Sequence, residues 1–283
     1  MKQNPFRVLL AFCLALPLLL QCVGVRSAGA AGTEKDPAKP GSTVSETETE
    51  QPLPPSEAEE DAGAVSADSV NRDLTPLPDE WFDDALFLGD SITATLQAWC
   101  TVNEAFGDAQ FLAPKSYSIW KDVFPVRQIA YRAEYWTARE VIGETGAKKL
   151  FLMVGMNDIA SDNGVENTMK YWDDYLAGIR ESCPDVTVFI QSLVPTYKTA
   201  GSQGLGNEKV DRYNDELRSF CEENGCIYVD IASGLKDSDG NLVDAYSFDR
   251  YVHLNDDGAA VWAEQLKNPA NYSVDPRSVD HEK

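Results

Sequence analysis

An alternation restricts the fold of this chain most. Five short apolar runs, ALFLG (85–89), AQFLA (109–113), KLFLMVG (149–155), VTVFIQSLV (186–194) and CIYVDI (226–231), are separated by stretches with helical periodicity. The runs are apolar nearly throughout instead of alternating, as strands covered on both faces are; AQFLA is the weakest. Between them, AEYWTAREVIGETG (133–146) carries Ala133, Trp136, Ala138 and Val141 at helical spacing. NTMKYWDDYLAGIRESC (167–183) places Met169, Trp172, Leu176 and Ile179 at steps of three and four, and NEKVDRYNDELRSFCEENG (207–225) does the same with Val210, Tyr213, Leu217 and Phe220 before a stop at Gly225. NDDGAAVWAEQLK (255–267) reads as a last helix capped by Asn255. Strand alternating with helix implies βαβ units, and right-handed crossovers close them into a three-layer α/β/α sandwich around a mainly parallel sheet of about five strands.

The front of the chain does not share this pattern. A basic start (MKQNPFR), an apolar run (VLLAFCLALPLLL) and small residues (VRSAGAAG) make residues 1–30 a secretory signal peptide, with Ala28 and Ala30 fitting cleavage after Ala30. The run is short and interrupted by Pro17, which argues against a spanning helix. Lipidation of Cys22 in LLLQC is the rival, disfavoured by Gln21 where a small residue is usual. Residues 31–77 are rich in Pro, Ser, Thr, Glu and Ala and too poor in large apolar side chains to offset ordering entropy. They read as a disordered acidic linker, and 78–283 as the folded domain. The chain is expected to be secreted or held at a cell surface through its N-terminal region.

Formal net charge is −22, which excludes nucleic acid as a partner, because phosphate binding needs clustered Lys and Arg. Outside the leader lie Cys100, Cys183, Cys221 and Cys226, with no zinc spacing. They read as buried small apolar residues more readily than as disulfides. KDSDGNL (236–242) lacks the spaced ligands of a calcium loop and reads as a turn. No metal site is expected.

Ligands of open parallel sheets sit beyond the carboxyl ends of the strands. Ser91 follows the first run directly in GDS, and Asn157 follows KLFLMVG in VGMND. Histidine is scarce: His281 lies in a polar tail and His253 in DRYVHLN, so histidine chemistry falls to His253. A serine hydroxyl becomes a nucleophile when a base takes its proton and a third group fixes the base's tautomer. Asp90 and Asp158 read as loop-supporting residues. Of the tryptophans, Trp136 and Trp172 read as core on helical faces. Trp120 and Tyr117, in the loop APKSYSIWKD (113–122), are candidates for a stacking wall, and Asp90 is a further candidate substrate contact.

FLGDSIT, VGMND and DRYVHLN, in this order, resemble the first, third and fifth sequence blocks of the SGNH (GDSL) hydrolase family, over roughly residues 84–266. The resemblance implies a flavodoxin-like sheet and cofactor-free serine esterase chemistry on a small-molecule or glycan ester. It assigns Ser91 as nucleophile, His253 as base, Asp249 as its orienter, and the Ser91 NH and Asn157 amide as oxyanion donors. Two departures stand. The family's Asp-x-x-His is here Asp-x-x-x-His, so a bulge or turn must absorb one residue, or a backbone carbonyl must hold the imidazole instead. The block-two glycine is missing, so an NH of Ser116 or Ser118 takes its place. The alternatives are a catalytically silent glycan-binding module on the same fold, and an acyltransferase. Oligomeric state is not legible.

Overall fold

The computed structural model describes residues 72–279. The expected leader, Cys22, most of the expected linker and His281 lie outside the described residues.

All five apolar runs become strands, at β1 (Ala85–Gly89), β2 (Gln110–Leu112), β5 (Lys149–Met153), β6 (Thr187–Gln191) and β7 (Ile227–Val229). They pair in the order β2-β1-β5-β6-β7, every pair parallel. Counted by these strands alone, that is the flavodoxin-like order 2-1-3-4-5. β1 and β5 are buried at every position, which explains why their sequences do not alternate.

The change of direction after β2 sorts the helices. α1 (Ser91–Asn103) crosses from β1 to β2 and packs on α7 (Asp256–Lys267). α3 (Ala138–Thr145), α5 (Gly164–Ser182) and α6 (Asn207–Asn224) make the crossovers that run the other way, and right-handedness puts them on the opposite face. Two short helices, α2 (Ile119–Val123) and α4 (Met156–Ala160), pack on α5. Each long helix buries one stripe, for example Val210, Tyr213, Leu217 and Phe220 in α6.

Register puts one phenylalanine on each of four adjacent strands at the same level: Phe111, Phe87, Phe151 and Phe189. Their rings stack in series, with centroids 4.9, 4.7 and 4.5 Å apart. In-register stacking of this kind adds to plain burial and ties the strands laterally.

Two expectations need correction. Residues 133–146 are not one helix. β3 (Ile129–Tyr131) and β4 (Glu134–Trp136) form a two-stranded antiparallel hairpin, turning at Arg132 and Ala133, both with positive φ. Such a tight turn usually announces itself by Asn-Gly or Asp-Gly, and neither is present. Helix α3 starts only at Ala138, behind a Thr137/Glu140 capping box. Trp136 is therefore a strand residue, donating from Nε1 to the Tyr131 carbonyl at 3.0 Å. The end of the expected linker is also ordered: Leu77 is buried, its NH donates to the Lys267 carbonyl, and Arg72 donates to the carbonyls of Pro269 and Tyr272. The 236–242 segment is a tight turn, as expected, with Asp237 Oδ1 accepting the NH groups of Asp239 and Asn241.

Candidate active site

The strands deliver their following loops to one edge, and Gly89 sets how the first of them leaves. A Cβ there would lie 1.9 Å from Thr93 Oγ1 and 2.8 Å from the Met153 carbonyl, so only glycine lets β1 pass straight into α1. Asp90 is the N-cap of α1, with Oδ1 accepting from the Ile92 NH at 2.9 Å. Ser91 is the first helical residue and is not needed as a cap. Its Oγ lies 3.0 Å from His253 Nε2. The N-terminal end of a 13-residue helix thus sits at this serine, where backbone NH groups and the helix dipole favour negative charge.

His253 comes from the loop before α7. Its Nδ1 is 2.6 Å from Asp249 Oδ2. The extra residue in the Asp–His spacing is absorbed by Arg250, which adopts φ +55°. That turn lets Asp249 Oδ1 accept the NH groups of Tyr251, Val252 and His253 at 2.8, 3.1 and 3.2 Å. One carboxylate therefore folds the loop with one oxygen and holds the imidazole with the other. Partial burial pushes the Asp249 carboxyl up, but the His253 hydrogen bond and the backbone NH donors outweigh it and hold it below the usual carboxylate range.

Asn157 is the second residue of α4, behind the N-cap Gly155, whose φ is +114° and whose added Cβ would strike the Tyr213 hydroxyl at 2.0 Å. The carboxamide is not idle: Nδ2 donates to Asp90 Oδ2 at 2.7 Å and to the Tyr117 carbonyl at 3.1 Å. Asp90 itself is 1 % exposed, and burial pushes its carboxyl up to about 6. It braces Ser91's turn and Asn157 together; the expectation that it contacts substrate is corrected, because it does not reach the surface. Asp158 caps α2, its two oxygens each 3.1 Å from the NH groups of Ile119 and Trp120. Burial also raises its carboxyl to about 6.

The loop 113–118 separates its two candidates. The Ser118 NH donates to Gln128 Oε1, and the Ser118 carbonyl accepts from Gln128 Nε2, so that backbone is committed and Ser118 is withdrawn as a donor. Ser116 has φ +56°, the conformation a glycine would supply, and its NH has no hydrogen-bond partner among the described residues. Tyr117 is fully buried with its hydroxyl 2.8 Å from that of Tyr175; it is core, not a stacking wall. Its role was hidden because a tyrosine in a polar loop carries no sign of burial.

Ser91 and His253 open onto a cleft of about 810 Å³, lined also by Ala94, Thr95 and Ala98 of α1 and by Phe248, Asp249 and Asp256. Trp120 is not among its lining residues.

A hydroxyl at a helix start, paired with an imidazole that is itself paired with a carboxylate, at the strand ends of a parallel sheet, defines a serine-hydrolase type of site. Residues 87–261 match the model of the GDSL-like lipase/acylhydrolase family, and the chain belongs to that family. The match takes in Ser91, Asn157, Asp249 and His253. Solved structures of similar fold include a proposed platelet activating factor from Streptococcus pneumonia (19% identity, TM-score 0.52, covering 65% of this chain and 82% of that one). Others are a proposed acylhydrolase from Bacteroides fragilis (18%, 0.51, 68% and 88%) and a GDSL-like lipase from Bacteroides thetaiotaomicron (14%, 0.50, 65% and 85%). None of the curated proteins compared matches the chain.

Proposed function

We propose that the chain is an exported serine esterase that removes acyl groups from a glycan or small ester through Ser91, His253 and Asp249. The observation that carries the reading is the continuous pairing Ser91 Oγ–His253 Nε2–His253 Nδ1–Asp249 Oδ2, at 3.0 and 2.6 Å. Asp249 accepts from Nδ1–H, which leaves Nε2 as the acceptor for the serine proton. Ser91 Oγ attacks the ester carbonyl carbon as His253 takes that proton. The tetrahedral oxyanion is held by the NH groups of Ser91 and Ser116. Asn157 joins them by exchanging its longer bond, to the Tyr117 carbonyl, for the substrate oxygen, while Asp90 keeps the carboxamide in place. His253 then protonates the departing alcohol. Water attacks the acyl-enzyme with His253 again as base, releasing the acid and restoring Ser91.

Hydrolysis of 4-nitrophenyl acetate by the wild type and by Ser91→Ala tests this. A rate reduced to background in the variant is expected; equal rates would favour a silent glycan-binding module. Export is supported by the leader-like residues 1–30 and the acidic stretch after them. N-terminal sequencing of protein recovered from the medium should begin after Ala30; membrane-retained protein with lipid on Cys22 would contradict it.

A further inference from the structure

The cleft beside Ser91 has a lining that the hydrolytic mechanism does not use. On one wall, α1 presents only small side chains, Ala94, Thr95 and Ala98, which leaves the space open. On the other stands Phe248, 77 % exposed and the sole aromatic among the lining residues. A single exposed phenylalanine is ordinary on a protein surface. This one adjoins Asp249, and its backbone NH donates to the His253 carbonyl at 2.9 Å, which ties its Cα to the loop that carries the imidazole and sets its side chain among the residues lining the cleft beside Ser91. Beyond it, Asp256 and Asp257 open α7, both exposed, and neither side chain has a hydrogen-bond or ion-pair partner among the described residues. No Lys or Arg lines the cleft.

Apolar contact with a few placed acceptors is the make-up of a small-ligand site. An aromatic face suits the C–H face of a sugar ring, and carboxylates accept strong hydrogen bonds from hydroxyls. An anionic alcohol would meet only negative charge. A cationic alcohol would be drawn to the same ring and carboxylates, so acetylcholine enters the test below as the rival to a neutral sugar.

Building on the serine-esterase reading, we propose that Phe248 is a specificity-determining residue: its ring stacks on a neutral sugar that forms the alcohol part of the ester, with Asp256 and Asp257 accepting from that sugar's hydroxyls.

The test uses the full chain and an O-acetylated xylo-oligosaccharide, with 4-nitrophenyl acetate as the reference ester. For Phe248→Ala, the ratio of kcat/KM for the oligosaccharide to that for the reference should fall at least tenfold, carried by KM. Phe248→Tyr should keep the ratio within threefold, and the pair Asp256→Asn and Asp257→Asn should lower it in the same direction. Binding of the oligosaccharide to Ser91→Ala protein, measured by titration calorimetry, should weaken at least tenfold when Phe248→Ala is added. An unchanged ratio, or unchanged binding, would overturn the proposal, as would a larger Phe248 effect on acetylcholine than on the sugar ester. The two readings fail separately. Phe248-dependent binding without hydrolysis would sink the esterase and leave the sugar site, whereas Ser91-dependent hydrolysis indifferent to Phe248 would do the reverse.

Discussion

At the scale of single residues, the site works by division of labour. Asp90 caps α1, so the neighbouring Ser91 hydroxyl is left to His253. Asp249 folds its own loop and aims the imidazole. Asp249→Asn keeps the loop's acceptor oxygen but no longer enforces the tautomer, and should lower kcat by about 10²–10⁴-fold with little change in KM. Asn157→Ala should cost about 3 kcal/mol in the barrier, read as kcat. Arg250 pays for the extra residue with a left-handed backbone, worth about 1 kcal/mol or more for a non-glycine side chain. Arg250→Gly should keep activity and stability, while Arg250→Val, β-branched, should lose about 1–2 kcal/mol in denaturant unfolding and part of kcat. Residue types, their order along the chain and the family resemblance pointed to Ser91, Asn157, Asp249 and His253, and the fold brings Ser91, His253 and Asp249 into one hydrogen-bonded series with Asn157 bonded to the neighbouring Asp90. Withdrawing Ser118 was beyond sequence, because a glutamine ten residues away commits its backbone.

At the scale of elements, the strands were legible because both faces of the sheet are covered, which erases alternation and leaves apolar runs. The β3–β4 hairpin was not, because its turn uses arginine and alanine where glycine or asparagine is the usual signal. The phenylalanine stack depends on register, which no single strand's sequence reveals. Phe151 lies between Phe87 and Phe189, so Phe151→Ala should cost about 3–5 kcal/mol of unfolding free energy. The α2 cap adds a pH dependence. Burial lifts the Asp158 carboxyl to about 6, above its range in the unfolded chain. Its contribution is then fully present below about pH 4 and is lost as pH rises through about 6. The stability difference, wild type minus Asp158→Asn, should therefore fall between pH 4 and 7, by up to about 3 kcal/mol, in paired urea titrations. A difference that rises with pH would refute the buried-carboxyl account.

At the scale of the whole molecule, topology explains why residues distant in sequence meet. Parallel strands all point the same way, so the segments after β1, after β5 and before α7 reach one edge, and Ser91, Asn157 and His253 arrive there from positions up to 162 residues apart. The four described cysteines are free thiols, and the fold does not rely on disulfides between them. Cys100, Cys221 and Cys226 are buried and Cys183 is half-buried, so among these four a maleimide should label Cys183 first in the native state. The most direct measurement of the central claim is reaction of the intact protein with a fluorophosphonate probe, followed by mass spectrometry of the labelled peptide. The account predicts one adduct, on Ser91, absent from Ser91→Ala. An adduct on any other residue, or none on the natively folded wild type, would contradict it.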